Sequence, residues 1–172
     1  RTVQQYAASG IGRDLALRVY TSRLLGQDRR LVLHGGGNTS VKLWNTDMLG
    51  EEVQVLHIKG SGWDMADIEP EGLPAVRLQP LLKLRHLEEL SDEAMVRFER
   101  SNLLDSGAPT PSIETLLHAY LPHRFVDHTH SSAVLSLSNQ PNGEDLCREV
   151  FGDRMGIVPY VKPGFDLAKR AA

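Results

Sequence analysis

Two alternating runs bracketed by glycine turns commit the middle of this chain to an antiparallel hairpin. Thr39, Val41 and Leu43 alternate with polar neighbours, Asn45-Thr-Asp47 makes a turn, and Val53-Gln-Val-Leu-His-Ile58 resumes the extended pattern. Gly35-Gly-Gly37 precedes the first run and Lys59-Gly-Ser-Gly62 follows the second. In such a hairpin the start of one strand lies beside the end of the other, so both glycine turns fall at the same sheet end. There they can present backbone N–H groups and short hydroxyl or amide side chains to an oxyanion or phosphate; taken singly, each also has the composition of an ordinary tight turn. Neither is a Walker loop, because the Lys-Ser/Thr ending is missing, and a dinucleotide fingerprint would require glycine where Ser40 stands.

Helical patterns surround the hairpin. Ile11, Leu15, Val19 and Leu24 recur at helical spacing, and Gly26 follows in the position of a C-terminal cap. From Pro70 to Pro80 the prolines favour loop and short helix, while Asp92 to Leu104 carries Met95, Phe98 and Leu103 near helical spacing. Thr110-Pro-Ser-Ile-Glu114 reads as a helix start, which predicts a helix from Pro111 to Leu121 with Ser112 at its N-terminus. A strand from Phe125 to His130, helices over 133–137 and from Gly143 through Val150, a short strand over 157–161 and a helix opening at Phe165 complete the pattern. Interspersed strands and helices predict a layered α/β domain over residues 1–172. The chain starts at Arg1 and runs out within that last helix, so a longer protein, with a domain incomplete at its C-terminus, is expected.

His128-Thr-His130 lies on the predicted strand, where residues i and i+2 point to one face and stand about 6.6 Å apart along it. Two imidazoles so placed can converge on one ion, or, beside Asp127, form a hydrogen-bonded cluster at a strand end. Glu114 sits one turn before His118 on the predicted helix, so the two are expected to share a face. That pair reads either as a surface pair near a helix start or, if Glu114 lies close to a metal on His128 and His130, as an acid/base carboxylate beside a Lewis acid.

Charge removes several classes of partner. The 19 Lys+Arg and 22 Asp+Glu give a net charge of -3 without long runs, so no basic stripe marks nucleic acid or an anionic membrane surface. No apolar stretch approaches the length of a membrane helix. A single cysteine, Cys147, flanked by Leu146, Val150 and Phe151, reads as a small buried hydrophobe, and a reducing, cytoplasmic setting is expected.

Four ordered motifs, Gly37-Asn-Thr-Ser40, Lys59-Gly-Ser-Gly62, Pro111-Ser-Ile-Glu114 and His128-Thr-His130, resemble the class II aldolase/adducin family, and most closely the aldolase half of bifunctional rhamnulose-1-phosphate aldolase/alcohol dehydrogenases. The resemblance implies a three-layer α/β/α fold with a mainly antiparallel central sheet, zinc-dependent cleavage of a ketose 1-phosphate to dihydroxyacetone phosphate and an aldehyde, and a homotetramer. Residue by residue, it implies that Asn38, Ser61, Gly62 and Ser112 bind the sugar phosphate, that Glu114 is the acid/base, and that His128 and His130 bind Zn2+. Two departures stand out: Ile113 occupies a position that is often Ser, and no histidine follows His130, where the family has its third ligand. The resemblance also leaves room for a downstream short-chain dehydrogenase domain, for epimerisation or dehydration of a sugar phosphate, and for an adducin-like interaction module without catalysis.

Overall fold

The computed structural model describes residues 3–172. In chain order it contains α1 (Val3–Ala8), α2 (Arg13–Gln27), β1 (Asn38–Thr46), β2 (Glu52–Ile58), β3 (Ala75–Arg77), α3 (Leu78–Lys83), α4 (Asp92–Ser101), α5 (Thr115–Tyr120), β4 (Phe125–His128), α6 (Ser132–Ser138), α7 (Gly143–Phe151) and α8 (Phe165–Ala171), with short 3-10 turns between some of them. The strands form one antiparallel sheet in the order β3-β2-β1-β4. The hairpin of β1 and β2 is its centre, as the alternation predicts.

Strand periodicity divides the core between the two sheet faces. Ser40 pairs with Ile58 and Lys42 with Leu56, so these residues share one face. There Leu56, Ile58 and Val76 pack with Leu81 of α3, Met95 of α4, Leu116 and Ala119 of α5, and Phe165 and Ala168 of α8. The opposite face meets α2, where Ser22 and Thr39 share a buried hydroxyl–hydroxyl hydrogen bond of 2.6 Å. Beside it Ala16 and Val19 pack with Tyr6, Ile68 and Leu73. Helices therefore cover both faces, and the fold is the three-layer α/β/α arrangement expected from the sequence.

Four local readings need correction. Gly26 lies inside α2 rather than capping it; a Cβ there would come within 2.3 Å of the Ala66 backbone nitrogen, so glycine permits a close approach to the 65–66 segment. A strand, β3, lies inside the proline-rich stretch read as loop and short helix: it pairs with β2 on one side, and on the other Leu104 N donates to Ala75 O and Arg77 N to Asn102 O. Residues 157–161 are not a strand, since Pro159 removes a ladder donor and no strand partner meets them among the described residues. The helix placed from Pro111 starts only at Thr115. Cys147 is buried, as its apolar flanks predict. Among the described residues, no helix is long and apolar enough to cross a membrane.

Candidate active site

The site grows from the rung where Asn38 of β1 pairs with His128 of β4. Alternation places both on the sheet face that meets α5, and His130, two residues on, follows His128 to that side. The imidazole centroids lie 4.8 Å apart, tilted by 57°. His130 N donates to Leu31 O at 2.8 Å, tying the loop after β4 to the segment before the glycine triplet. Gly37 closes the other side: its φ is +70°, and a Cβ would lie 2.4 Å from the His128 carbonyl oxygen. Gly37→Ala should therefore lower stability by about 2 kcal/mol and displace His128, read by denaturant unfolding and by the His128 ring resonances.

Glu114 reaches the same rung by a route that the sequence misjudges. Pro111 forms an isolated antiparallel bridge with Gly60, and Ser112 N donates to Lys59 O at 3.2 Å, so this stretch runs extended along the second glycine turn. The chain turns helical only after Glu114, where Thr115 Oγ1 donates to Ser112 O at 2.6 Å. Glu114 thus stands at the N-cap of α5 rather than inside it, and its backbone oxygen accepts from His118 N at 3.1 Å. Its Oε2 lies 2.7 Å from His128 Nδ1, although the ring is not aligned with it as a hydrogen bond, and accepts from Asn38 Nδ2 at 2.5 Å. Burial raises the Glu114 pKa, but the His128 and Asn38 contacts and the nearby His118 outweigh it and hold the carboxyl below its ordinary range. His118 meets the sheet one step along, hydrogen bonded to Ser40 Oγ at 2.8 Å. Fully buried, it titrates only at about 3, burial outweighing the Glu114 charge, and so stays neutral.

Beside Glu114 lies a cavity of about 420 Å³ lined in part by Gly35, Gly37, Lys59, Ser61, Gly62 and Ser112. Three of the four predicted anion-binding residues therefore border one space. Asn38 stands behind it and joins it to Glu114, donating from the same Nδ2 to Ser112 Oγ at 3.1 Å. The donors differ from those expected. Ser61 N is taken by Thr110 O at 2.8 Å and Ser112 N by Lys59 O, so neither N–H is free, and Ser112 does not sit at a helix N-terminus. What remains is the Gly62 N–H, the two hydroxyls and the Lys59 ammonium, which was passed over in the sequence although it opens the second glycine turn. Burial lowers the Lys59 pKa, and Asp64 and Glu114 counter it. Lys59→Met should weaken binding of inorganic phosphate about tenfold or more in calorimetric titration, because a charge-assisted hydrogen bond is lost.

The profile described as "Class II Aldolase and Adducin N-terminal domain" matches residues 16–172. The chain belongs to the class II aldolase and adducin family. It is 42% identical over 154 residues to the "Uncharacterized oxidoreductase YuxG" of Bacillus subtilis (strain 168), a match covering 90% of this chain and 22% of that protein. The chain thus spans under a quarter of the length of that curated relative. The solved "N-terminal Class II Aldolase domain of a conserved protein from Thermoplasma acidophilum" superposes with a TM-score of 0.86 at 40% identity, covering 92% of this chain and 73% of that one.

Members of the class II aldolase and adducin family generally bind small-molecule substrates and form oligomers, and its aldolases generally use Zn2+. The donors here suit that ion by type: two imidazoles side by side, a neighbouring carboxylate, and a buried His128 Nδ1 without an aligned hydrogen-bond partner. They make part of a site. Among the described residues, no group of three or more His, Cys, Asp or Glu side chains is disposed to hold a metal.

Proposed function

We propose that this domain carries zinc-dependent aldol cleavage of a ketose 1-phosphate, of the rhamnulose 1-phosphate type, to dihydroxyacetone phosphate and an aldehyde. The observation that carries the reading is the Asn38 amide, which joins Glu114, itself 2.7 Å from His128 Nδ1, to Ser112 on the cavity wall. Ser61, Gly62, Ser112 and Lys59 would hold the substrate phosphate, and His128 and His130 would hold Zn2+. Bound Zn2+ would supply Lewis acidity toward the substrate carbonyl and hydroxyl oxygens. As the carbon–carbon bond breaks, its electron pair stays on the dihydroxyacetone phosphate fragment, and the hydroxyl of the aldehyde fragment gives up its proton. Glu114, kept below its ordinary pKa by His128 and Asn38, is the base placed to move a proton between that hydroxyl and the carbon. Asn38 fixes the carboxylate and, through Ser112, couples its orientation to an occupied phosphate site.

A second activity in the whole protein is supported by the oxidoreductase relative, of which the domain spans 22%. A downstream dehydrogenase acting on the released aldehyde fits that proportion. We further propose a cytoplasmic homotetramer. The test uses the full-length protein: release of dihydroxyacetone phosphate from rhamnulose 1-phosphate, coupled to a reporting dehydrogenase, with fuculose 1-phosphate and ribulose 5-phosphate in parallel. Release from a ketose 1-phosphate supports the aldolase, and conversion of ribulose 5-phosphate without cleavage replaces it with an epimerase. Turnover of none of them, with no phosphate binding, replaces it with an adducin-like module.

A further inference from the structure

We propose that Arg18 is a positioning residue that sets which face of β4 meets Glu114, and with it the placement of His128 and His130; as far as metal binding is concerned, this rests on the reading of that pair as the zinc site. Arg18 projects from α2 and is only 1% exposed. Its Nη2 lies 2.7 Å from Asp127 Oδ1 and donates to Thr21 Oγ1 at 2.6 Å, while Nη1 donates to Ser40 O at 3.2 Å and Val126 O at 3.5 Å. The Phe125 ring lies 5.7 Å from the guanidinium. One side chain therefore joins α2 to both β1 and β4, at the rungs Thr39↔Asp127 and Ser40↔Val126 that directly precede Asn38↔His128.

That location matters because β4 is weakly specified by its ladder. It is four residues long and sits at the end of the sheet, paired only with β1. A slip of one residue exchanges the two faces of a strand. In β4 it would carry Asp127 toward Glu114 and turn His128 toward α2. Neither Phe125 nor Val126 is fully buried, so hydrophobic burial alone distinguishes the registers poorly. The buried guanidinium distinguishes them sharply: it requires a carboxylate on the α2 side, and in the slipped register its charge would be left without one. Its fork also engages two backbone carbonyls, which a lysine ammonium cannot reproduce with the same geometry. Arg18 lies 19 residues before the first site motif, which it touches at the Ser40 carbonyl, and it does not line the cavity, so its effect runs through strand placement.

The test compares the wild-type full-length protein, metal-free at the start, with Arg18→Lys, Asp127→Ala, Asp127→Asn and His128→Ala. Thermal melts establish which variants fold, the ring-proton resonances of His128 and His130 report their placement before zinc is added, and competition with a chromophoric chelator gives zinc affinity. Arg18→Lys and Asp127→Ala should each weaken zinc about tenfold or more, as loss of groups that orient metal ligands does, with Asp127→Asn in between because it keeps an acceptor. Both His ring resonances should move in Arg18→Lys. Asp127 is half-exposed, its side chain at 49%, so its variants remain informative if Arg18→Lys fails to fold. Folded variants with zinc affinity within about twofold of wild type and unmoved ring resonances overturn the proposal. Zinc binding by His128→Ala equal to wild type overturns the metal reading instead, and the ring resonances of Arg18→Lys then decide the role of Arg18.

Discussion

Glu114→Gln should lower turnover of aldol cleavage about 10²- to 10⁴-fold in the full-length protein, with zinc and inorganic phosphate still bound. The amide keeps the length of the side chain and can still accept from Asn38, but it cannot take a proton. His128→Ala separates the two roles: it should abolish zinc binding together with cleavage. It also removes the chief neighbour that holds the Glu114 pKa down, so the remaining burial should drive that pKa up. Stability linked to Glu114 in the wild type is present above its unfolded pKa and lost as pH falls through the lower folded value, and in His128→Ala this dependence should shrink or reverse. Cleavage by Glu114→Gln at the wild-type rate, followed by dihydroxyacetone phosphate release, would leave the carboxylate a structural role. His118 would be a weak base in its place, because burial lowers its pKa to about 3 and its Nδ1 is bonded to Ser40.

The second large effect lies away from the chemistry. Glu99, on α4, is 0% exposed, and neither carboxyl oxygen has a hydrogen-bond partner among the described residues. Burial pushes its pKa up to about 9, so the folded protein holds it as the neutral acid, near the buried Tyr120 hydroxyl. The native state then binds a proton that the unfolded chain releases above its ordinary carboxylate pKa of 4.5. Stability linked to Glu99 is complete below about pH 4.5 and falls as pH rises toward 9. At neutral pH that difference corresponds to about 3 kcal/mol. Glu99→Met fills similar space without a proton to retain, so it should raise the melting temperature at pH 8 and lose most of that advantage at pH 5. Parallel melting profiles for the two proteins across this range would refute a neutral buried Glu99.

The hairpin, the helix carrying Arg18, and the pairing of His128 with His130 are legible in the residues because each depends on short-range periodicity. What the sequence hid depended on partners far away along the chain. Ala75-Val-Arg77 is too short and too flanked by proline to read as a strand, and becomes one by pairing with β2 and with residues 102–104. Pro111 has the composition of a first helical residue, yet its bridge to Gly60 holds it extended and moves Glu114 off the helix. The same rearrangement consumes the Ser61 and Ser112 N–H groups, leaving the Gly62 N–H, the two hydroxyls and Lys59 as donors at the cavity. Gly26 reads as a stop by type, and only the approach of Ala66 shows why glycine is required there.

The contacts joining Asn38 to Ser112 and Glu114 span 74 and 76 residues. A ligand held by the cavity and the imidazoles together would clasp four segments otherwise remote along the chain, and so work as a removable cross-link. Such a ligand stabilises the folded state by its binding free energy, and its escape through local opening requires the β1–β4 edge to part. Saturating phosphate and zinc should therefore slow hydrogen exchange most strongly at the amides of β4 and the 112–115 segment, tying the persistence of this corner of the fold to the supply of its own substrate.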